Sequence, residues 1–320
     1  MPNMSKDTPS NLINGHVETL LPYLFRPVVK QPYQRERIPT PDDDFLDLDW
    51  LKAGHKKLLI VSHGLESCSQ AQYVQGIANL FKNNEYDVLA WNYRGCSGEI
   101  NLTSKYYHSG ATYDLETVID HVQQTMDYQS IYLVGFSLGG NLTLKYAGEQ
   151  STSISPLIKG VCAFSTPCDL RSSSHQLASG FNKLYTGNFV KSLKKKVLAK
   201  SELLMSEGFD VEAILKLKSL PDFDDVFTAP LHGFKDADDY YRQSSSIAFL
   251  KPIAVPTLLV NALNDPFLSP ECYPYELIKD CVNVTFEAPK HGGHVGFYQR
   301  HKRNVMWSES RALEFLNSIN

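Results

Sequence analysis

The sequence predicts an α/β fold: a mostly parallel sheet with helices on both faces and an inserted helical cap. Three observations lead there. Short apolar runs recur with helical stretches between them, as buried parallel strands and their crossovers do. One run turns through a glycine-flanked serine directly into a helix-like segment. About ninety residues then separate two runs that a crossover of a dozen or so residues could join, so a further unit is inserted there.

Taken in order, 46–50 alternates Leu46, Leu48 and Trp50 with Asp47 and Asp49, the pattern of a half-buried antiparallel strand at one edge. Buried strands are expected at 57–61, 87–91, 131–134, 160–164, 257–261 and 282–288, and helices at 71–81, 111–125, 139–147 and 307–319. Within the insertion, 181–220 has helical apolar spacing (Leu184, Phe189, Leu193, Val197, Leu204). It also carries Lys191, Lys194, Lys195, Lys196 and Lys200, read as a solvated face with anionic lipid or substrate as the rival partner. Core residues 1–167 and 241–320, with an N-terminal extension over 1–40, are thus expected to flank a cap at 168–240.

With 320 residues, 42% of them apolar and 21% charged, the chain can bury a full core. Lys and Arg number 31 against 35 Asp and Glu, a net charge of −4, so no global positive field draws nucleic acid. The six cysteines lack CxxC spacing and read as free thiols of a reducing compartment. Residues 1–11 lack the apolar core of a secretory leader and no window approaches a membrane span, which predicts a cytoplasmic location.

The chemistry centres on Gly135-Phe136-Ser137-Leu138-Gly139-Gly140, placed after a strand-like run and before a helix-like one. A sharp strand-to-helix turn of this kind presents a serine hydroxyl, and the glycines two residues either side remove Cβ atoms that would collide across it. A serine is a poor nucleophile at neutral pH and needs a histidine base oriented by an acid, both expected downstream. Asp265 follows the run 257–261, and Pro266 biases its backbone toward the extended region; Asp169 is the rival acid, more suited to capping a helix. Two histidines follow the run 282–288. His294 lies further into the loop Gly292-Gly293-His294-Val295-Gly296 and is the expected base, with His291 the rival. The N–H of Leu138 and that of Leu65, in Ser62-His63-Gly64-Leu65-Glu66, are the expected oxyanion donors, and His63 is expected to brace that turn. Arg94 reads either as a buried tie between loops or as a substrate contact.

These motifs resemble those of the YheT-like esterase family of α/β-hydrolases, related to the eukaryotic α/β-hydrolase-domain lipases. The likeness spans nearly the whole chain and rests also on Asn14-Gly15-His16-Val17-Glu18-Thr19-Leu20, Asp47-Leu48-Asp49-Trp50, Asn92-Tyr93-Arg94-Gly95, Tyr107-His108-Ser109-Gly110, Phe223-Asp224-Asp225 and Asp239-Tyr240-Tyr241-Arg242. It implies an α/β-hydrolase fold, Ser137 as nucleophile, Asp265 as acid and His294 as base. The expected activity is hydrolysis of small-molecule carboxylic esters, with short to medium acyl chains, through an acyl-enzyme and with no metal or organic cofactor. The alternatives are a lipase, phospholipase or acyltransferase with the same triad, or a non-catalytic binding protein of this fold. The eukaryotic relatives' membrane anchor has no counterpart here, so membrane contact without an anchor stays open, as does the oligomeric state.

Overall fold

In the computed structural model, which describes residues 8–27, 30–301 and 304–319, eight strands form one sheet: β1 (Gln34–Pro39), β2 (Phe45–Leu51), β3 (Lys57–Ser62), β4 (Tyr86–Asn92), β5 (Ser130–Phe136), β6 (Ile158–Phe164), β7 (Thr257–Val260) and β8 (Val284–Glu287). Their order is β1-β2-β4-β3-β5-β6-β7-β8. β2 is antiparallel to β1 and β4, and the other neighbours are parallel. Residues 1–7 of the expected N-terminal extension, and with them most of the segment read for a leader, lie outside the described residues, as do 28–29.

Four helices sandwich the sheet. Leu58, Ile60, Ile131 and Leu133 face a layer with α3 (Thr112–Thr125) and α4 (Leu138–Gln150). The alternating residues Leu59, Val61, Tyr132 and Val134 face α2 (Gln72–Lys82) and α13 (Trp307–Ser318). Because both faces are closed to water, these strands read as unbroken apolar runs. At the far end, Val282 is 95% exposed and β8 starts two residues later than its apolar run suggests.

The strand expected at the edge is β2, but it is second in the sheet. β1 covers it, and nothing in Gln34-Arg35-Glu36-Arg37 shows the apolar alternation of a strand. Asp47 and Asp49 are consequently buried and not solvated. Arg37 Nε donates to Asp47 Oδ1 at 2.7 Å and Arg35 Nε to Asp49 Oδ1 at 2.9 Å. Burial alone would raise both carboxyls, yet these hydrogen bonds outweigh it and hold both below the ordinary value.

Ahead of the sheet lies α1 (Gly15–Phe25), capped by Asn14, whose side chain accepts from Val17 N–H. Between β6 and β7 the chain runs through α5 (Leu170–Leu177), α6 (Lys183–Ala199), α7 (Ser201–Ser206), α8 (Val211–Lys216), α9 (Leu220–Phe223), α10 (Ala229–Leu231) and α11 (Ala237–Ser244), and α12 (Tyr275–Ile278) precedes β8. The inserted helices share an apolar cluster of their own, including Val197, Leu204, Ile214, Phe223 and Phe227. Of the lysine cluster, Lys196 and Lys200 turn inward: Lys200 Nζ donates to Asn101 Oδ1 at 2.7 Å and to the Thr103 carbonyl, and burial lowers it to about 8. Arg94 is a buried tie, joining Asp114 at 2.7 Å and Asp42 at 2.8 Å. No helix among the described residues is long and apolar enough to cross a membrane, and all six cysteines are free.

Candidate active site

Ser137 sits between β5 and α4 at φ 54° and ψ −121°, a region that costs a non-glycine residue on the order of 1–3 kcal/mol. Close packing enforces the turn. A Cβ on Gly135 would lie 2.2 Å from the Gly139 carbonyl oxygen, and one on Gly139 would lie 2.3 Å from that of Ser62. Ser137 N–H donates to the Phe164 carbonyl at 2.9 Å, fixing the elbow to β6.

The structure brings Ser137, Asp265 and His294 together. His294 Nδ1 lies 2.9 Å from Asp265 Oδ2 and 3.1 Å from Oδ1, and its Nε2 lies 2.9 Å from Ser137 Oγ. A carboxylate only accepts, so Nδ1 carries the proton and Nε2 is left to accept from the serine hydroxyl. Asp265 is 5% exposed, and its Oδ1 also accepts from Phe267 N–H at 2.9 Å. The Phe267 ring stacks on the imidazole with centroids 4.2 Å apart. Such a group can draw the proton from Ser137 and hold the resulting imidazolium beside Asp265.

The rival residues stand elsewhere. Asp169 caps α5, accepting from Ser172 N–H at 2.8 Å. His291 Nδ1 lies 3.2 Å from Glu18 Oε1, and His291 is not joined to Ser137. Sequence reasoning missed the part that α1 plays here. Buried Glu18 accepts from Gly292 N–H at 2.7 Å and from Asn264 Nδ2 at 2.7 Å, and Thr19 Oγ1 accepts from His294 N–H at 2.8 Å. Thus α1 grips the loops that carry both His294 and Asp265. The Asn14–Leu20 segment was the available signal, yet an isolated stretch of that length does not reveal its partner.

Leu65 and Leu138 line one cavity with Ser137. Leu138 opens α4, so its N–H belongs to the first-turn donors without an intrahelical acceptor. A Cβ on Gly64 would lie 3.3 Å from Ser137 Cβ, which places the turn against the serine. Gly64 N–H donates to Tyr73 OH and Glu66 N–H to Tyr107 OH, each at 2.8 Å, whereas the Leu65 N–H between them has no acceptor among the described residues. His63 braces this turn as a neutral group: burial lowers it to about 3, Nε2 accepts from Tyr93 N–H at 3.3 Å, and Nδ1 lies 2.8 Å from the Gly64 carbonyl. Glu66, at φ 51°, reaches out to α6, where Lys196 Nζ at 2.7 Å and Ser192 Oγ at 2.5 Å both donate to it. The inserted helices are therefore tied to the residue beside Leu65.

A cavity of about 110 Å³ opens on Ser137, Leu65 and Leu138. Its walls include Leu170, Leu177, Phe189 and Leu193 from the inserted helices, and Asp224, Thr228, Tyr240 and Tyr241 line it as well.

A family model described as alpha/beta hydrolase fold matches residues 57–300. The YheT protein of Escherichia coli (strain K12), named as a candidate esterase, is 34% identical over 95% of this chain and 91% of its own. Phospholipase ABHD3 of Bos taurus is 30% identical over 86% of this chain and 68% of its own. Among solved structures, the Pyrococcus furiosus esterase Pf2001 superposes with a TM-score of 0.60 at 20% identity, covering 99% of each chain, a likeness of fold. A mostly parallel sheet with a serine at the β5–α4 elbow and these matches agree: the chain belongs to the α/β-hydrolase fold family, in its YheT-like branch.

Proposed function

We propose that the protein is a serine hydrolase of carboxylic esters. Ser137 attacks the ester carbonyl, His294 takes its proton and returns it to the leaving alkoxide, and Asp265 holds the imidazole in the required tautomer; water then cleaves the acyl-enzyme. The N–H groups of Leu65 and Leu138 stabilise the oxyanion. The single observation that carries this reading is the His294 bridge, 2.9 Å to Ser137 Oγ on one side and 2.9 Å to Asp265 on the other. Residues 168–240 act as a cap over the core of 1–167 and 241–320, and they supply Leu170, Leu177, Phe189, Leu193 and Leu220 of the cavity wall. Each buried methylene is worth about 0.8 kcal/mol, so this wall sets chain-length preference, and a cavity of about 110 Å³ favours short to medium acyl chains.

A series of p-nitrophenyl esters of graded chain length tests the reading. Turnover that peaks at short to medium chains and vanishes in Ser137→Ala supports it; turnover unchanged in Ser137→Ala contradicts it. Two observations favour lipid esters as a second reading: Phe181 and Leu184 of the cap are 53% and 62% exposed, and one relative is named a phospholipase. Rates that climb steadily to long-chain phospholipid or triglyceride at an interface would select it.

A further inference from the structure

The cavity that opens on Ser137 also reaches a carboxyl with no cation beside it. Asp224 follows α9 and accepts from Thr228 Oγ1 at 2.8 Å and from Tyr241 OH at 2.7 Å. Among the described residues no lysine, arginine or histidine nitrogen pairs with it. The buried Asp47, Asp49 and Asp114 each hold an arginine, and the buried Asp87, which has no cation, instead accepts from two backbone N–H groups and from Tyr128 OH. Two hydroxyls occupy two of the roughly four acceptor positions of a carboxylate, which leaves capacity toward the cavity that Asp224 lines. Burial pushes the carboxyl up to about 6, since an ionised group removed from water is costly unless paired. Beside it stand the rings of Tyr240 and Tyr241, 5.2 Å apart, and that of His108, 5.8 Å from Tyr240. Aromatic faces attract cations.

We propose that Asp224, Tyr240 and Tyr241 form a cation-binding end of the cavity, and that the ester substrate carries a positively charged nitrogen on the group that reaches it. The inference rests on the ester-hydrolase reading above. A merely structural Asp224 would pin α11 through Tyr241 and leave substrates of either charge alike.

The charge state of the site has one source between pH 5 and 8. Tyr240 and Tyr241 are raised by burial, while His108 is held well below its ordinary value and His232 at about 4, both by burial first and then by neighbouring cationic groups. Thr228, Ser173 and Ser174 do not titrate in this range, and Phe189, Leu193 and Leu220 carry no charge. Asp224 alone among these lining groups changes charge there. A substrate with a fixed positive charge should therefore gain on its neutral isostere as pH rises through about 6.

Two matched pairs of esters test this, because either end of the ester can occupy the part of the cavity that Asp224 lines. Choline butyrate is compared with 3,3-dimethylbutyl butyrate, and ethyl 4-(trimethylammonio)butyrate with ethyl 5,5-dimethylhexanoate. Taking the ratio of kcat/KM within a pair cancels effects on the chemical step, which act on both members. The expected result is a ratio of at least tenfold at pH 7.5 in one pair, falling severalfold by pH 5 and collapsing to near one in Asp224→Asn. The wild-type pH dependence stands as a test even where that variant does not fold. Ratios at or below one in both pairs, a ratio independent of pH, or a ratio that survives Asp224→Asn would overturn the proposal. Turnover of none of the four esters would instead overturn the ester-hydrolase reading on which it rests.

Discussion

At Ser137 the backbone is held in a left-handed conformation that its neighbours over-determine, and the hydroxyl meets an imidazole whose other nitrogen is fixed by Asp265. Replacing the proposed base should thus be far more damaging than replacing its neighbour. His294→Ala is expected to reduce ester turnover to the residue left by oxyanion and binding effects, roughly 10³- to 10⁴-fold over water, while His291→Ala keeps a substantial part. Steady-state kinetics on a soluble ester decides, and the reverse ranking would move the base to His291. Asp265→Asn should lower kcat by on the order of 10⁴, because the amide favours the wrong tautomer, whereas Asp169→Asn should leave kcat and stability nearly unchanged, because asparagine caps a helix about as well as aspartate. These residues were legible in the sequence because each has a local signature: glycines around the serine, a proline after Asp265, and glycines before His294. Glu18, Thr19 and Asp224 were not, since their significance comes from partners hundreds of positions away in some cases and from a cavity that no local pattern announces.

Elements show a similar division. The central strands and α2, α3, α4 and α13 follow from apolar periodicity, with ends that shift by at most three residues. β1 did not follow, because its partly exposed arginines satisfy the buried aspartates of β2, so a charged segment lies in the sheet. The expected continuous helical spacing over 181–220 breaks after Ala199 and again at Gly208, whose φ of +90° ends α7. The tie between α6 and the Leu65 turn yields a prediction at this scale. Lys196 Nζ and Ser192 Oγ reach Glu66, which is 3% exposed at its side chain. Lys196→Met should displace that turn and lower kcat by about ten- to a hundredfold, less than the 10²–10³ of deleting an oxyanion donor, with KM changed little. Lys196→Arg should restore much of kcat. An unchanged kcat in Lys196→Met, measured on folded protein, would separate α6 from the chemistry.

For the whole molecule, three histidines set the acid limit, His63 and His108 buried and His232 partly so. Burial lowers His63 to about 3 and His232 to about 4 and holds His108 well below 6.5, so all three are neutral when folded and titrate near 6.5 when unfolded. The unfolded chain then binds more protons, and the stability they contribute is present above pH 6.5 and lost as pH falls through it. Asp224 acts in the opposite sense, its contribution being lost as pH rises from about 3.8 to 6, and Asp114 and Glu309, also raised by burial, act with it, whereas the three histidines change charge in the unfolded chain near 6.5. The urea midpoint should accordingly drop between pH 7.5 and 5.5, each histidine supplying at most about 1.4 kcal/mol per pH unit, and His232→Gln should flatten the slope. A midpoint that is constant or rises over that interval would contradict this. The most direct test of the proposed chemistry uses the intact protein and an alkyl fluorophosphonate, followed by peptide mapping. Only a serine activated by a base reacts readily with such an acyl-transfer mimic. Label confined to Ser137, and strongly reduced in His294→Ala, is the predicted result; label on another serine, or equal labelling in the two proteins, would contradict it.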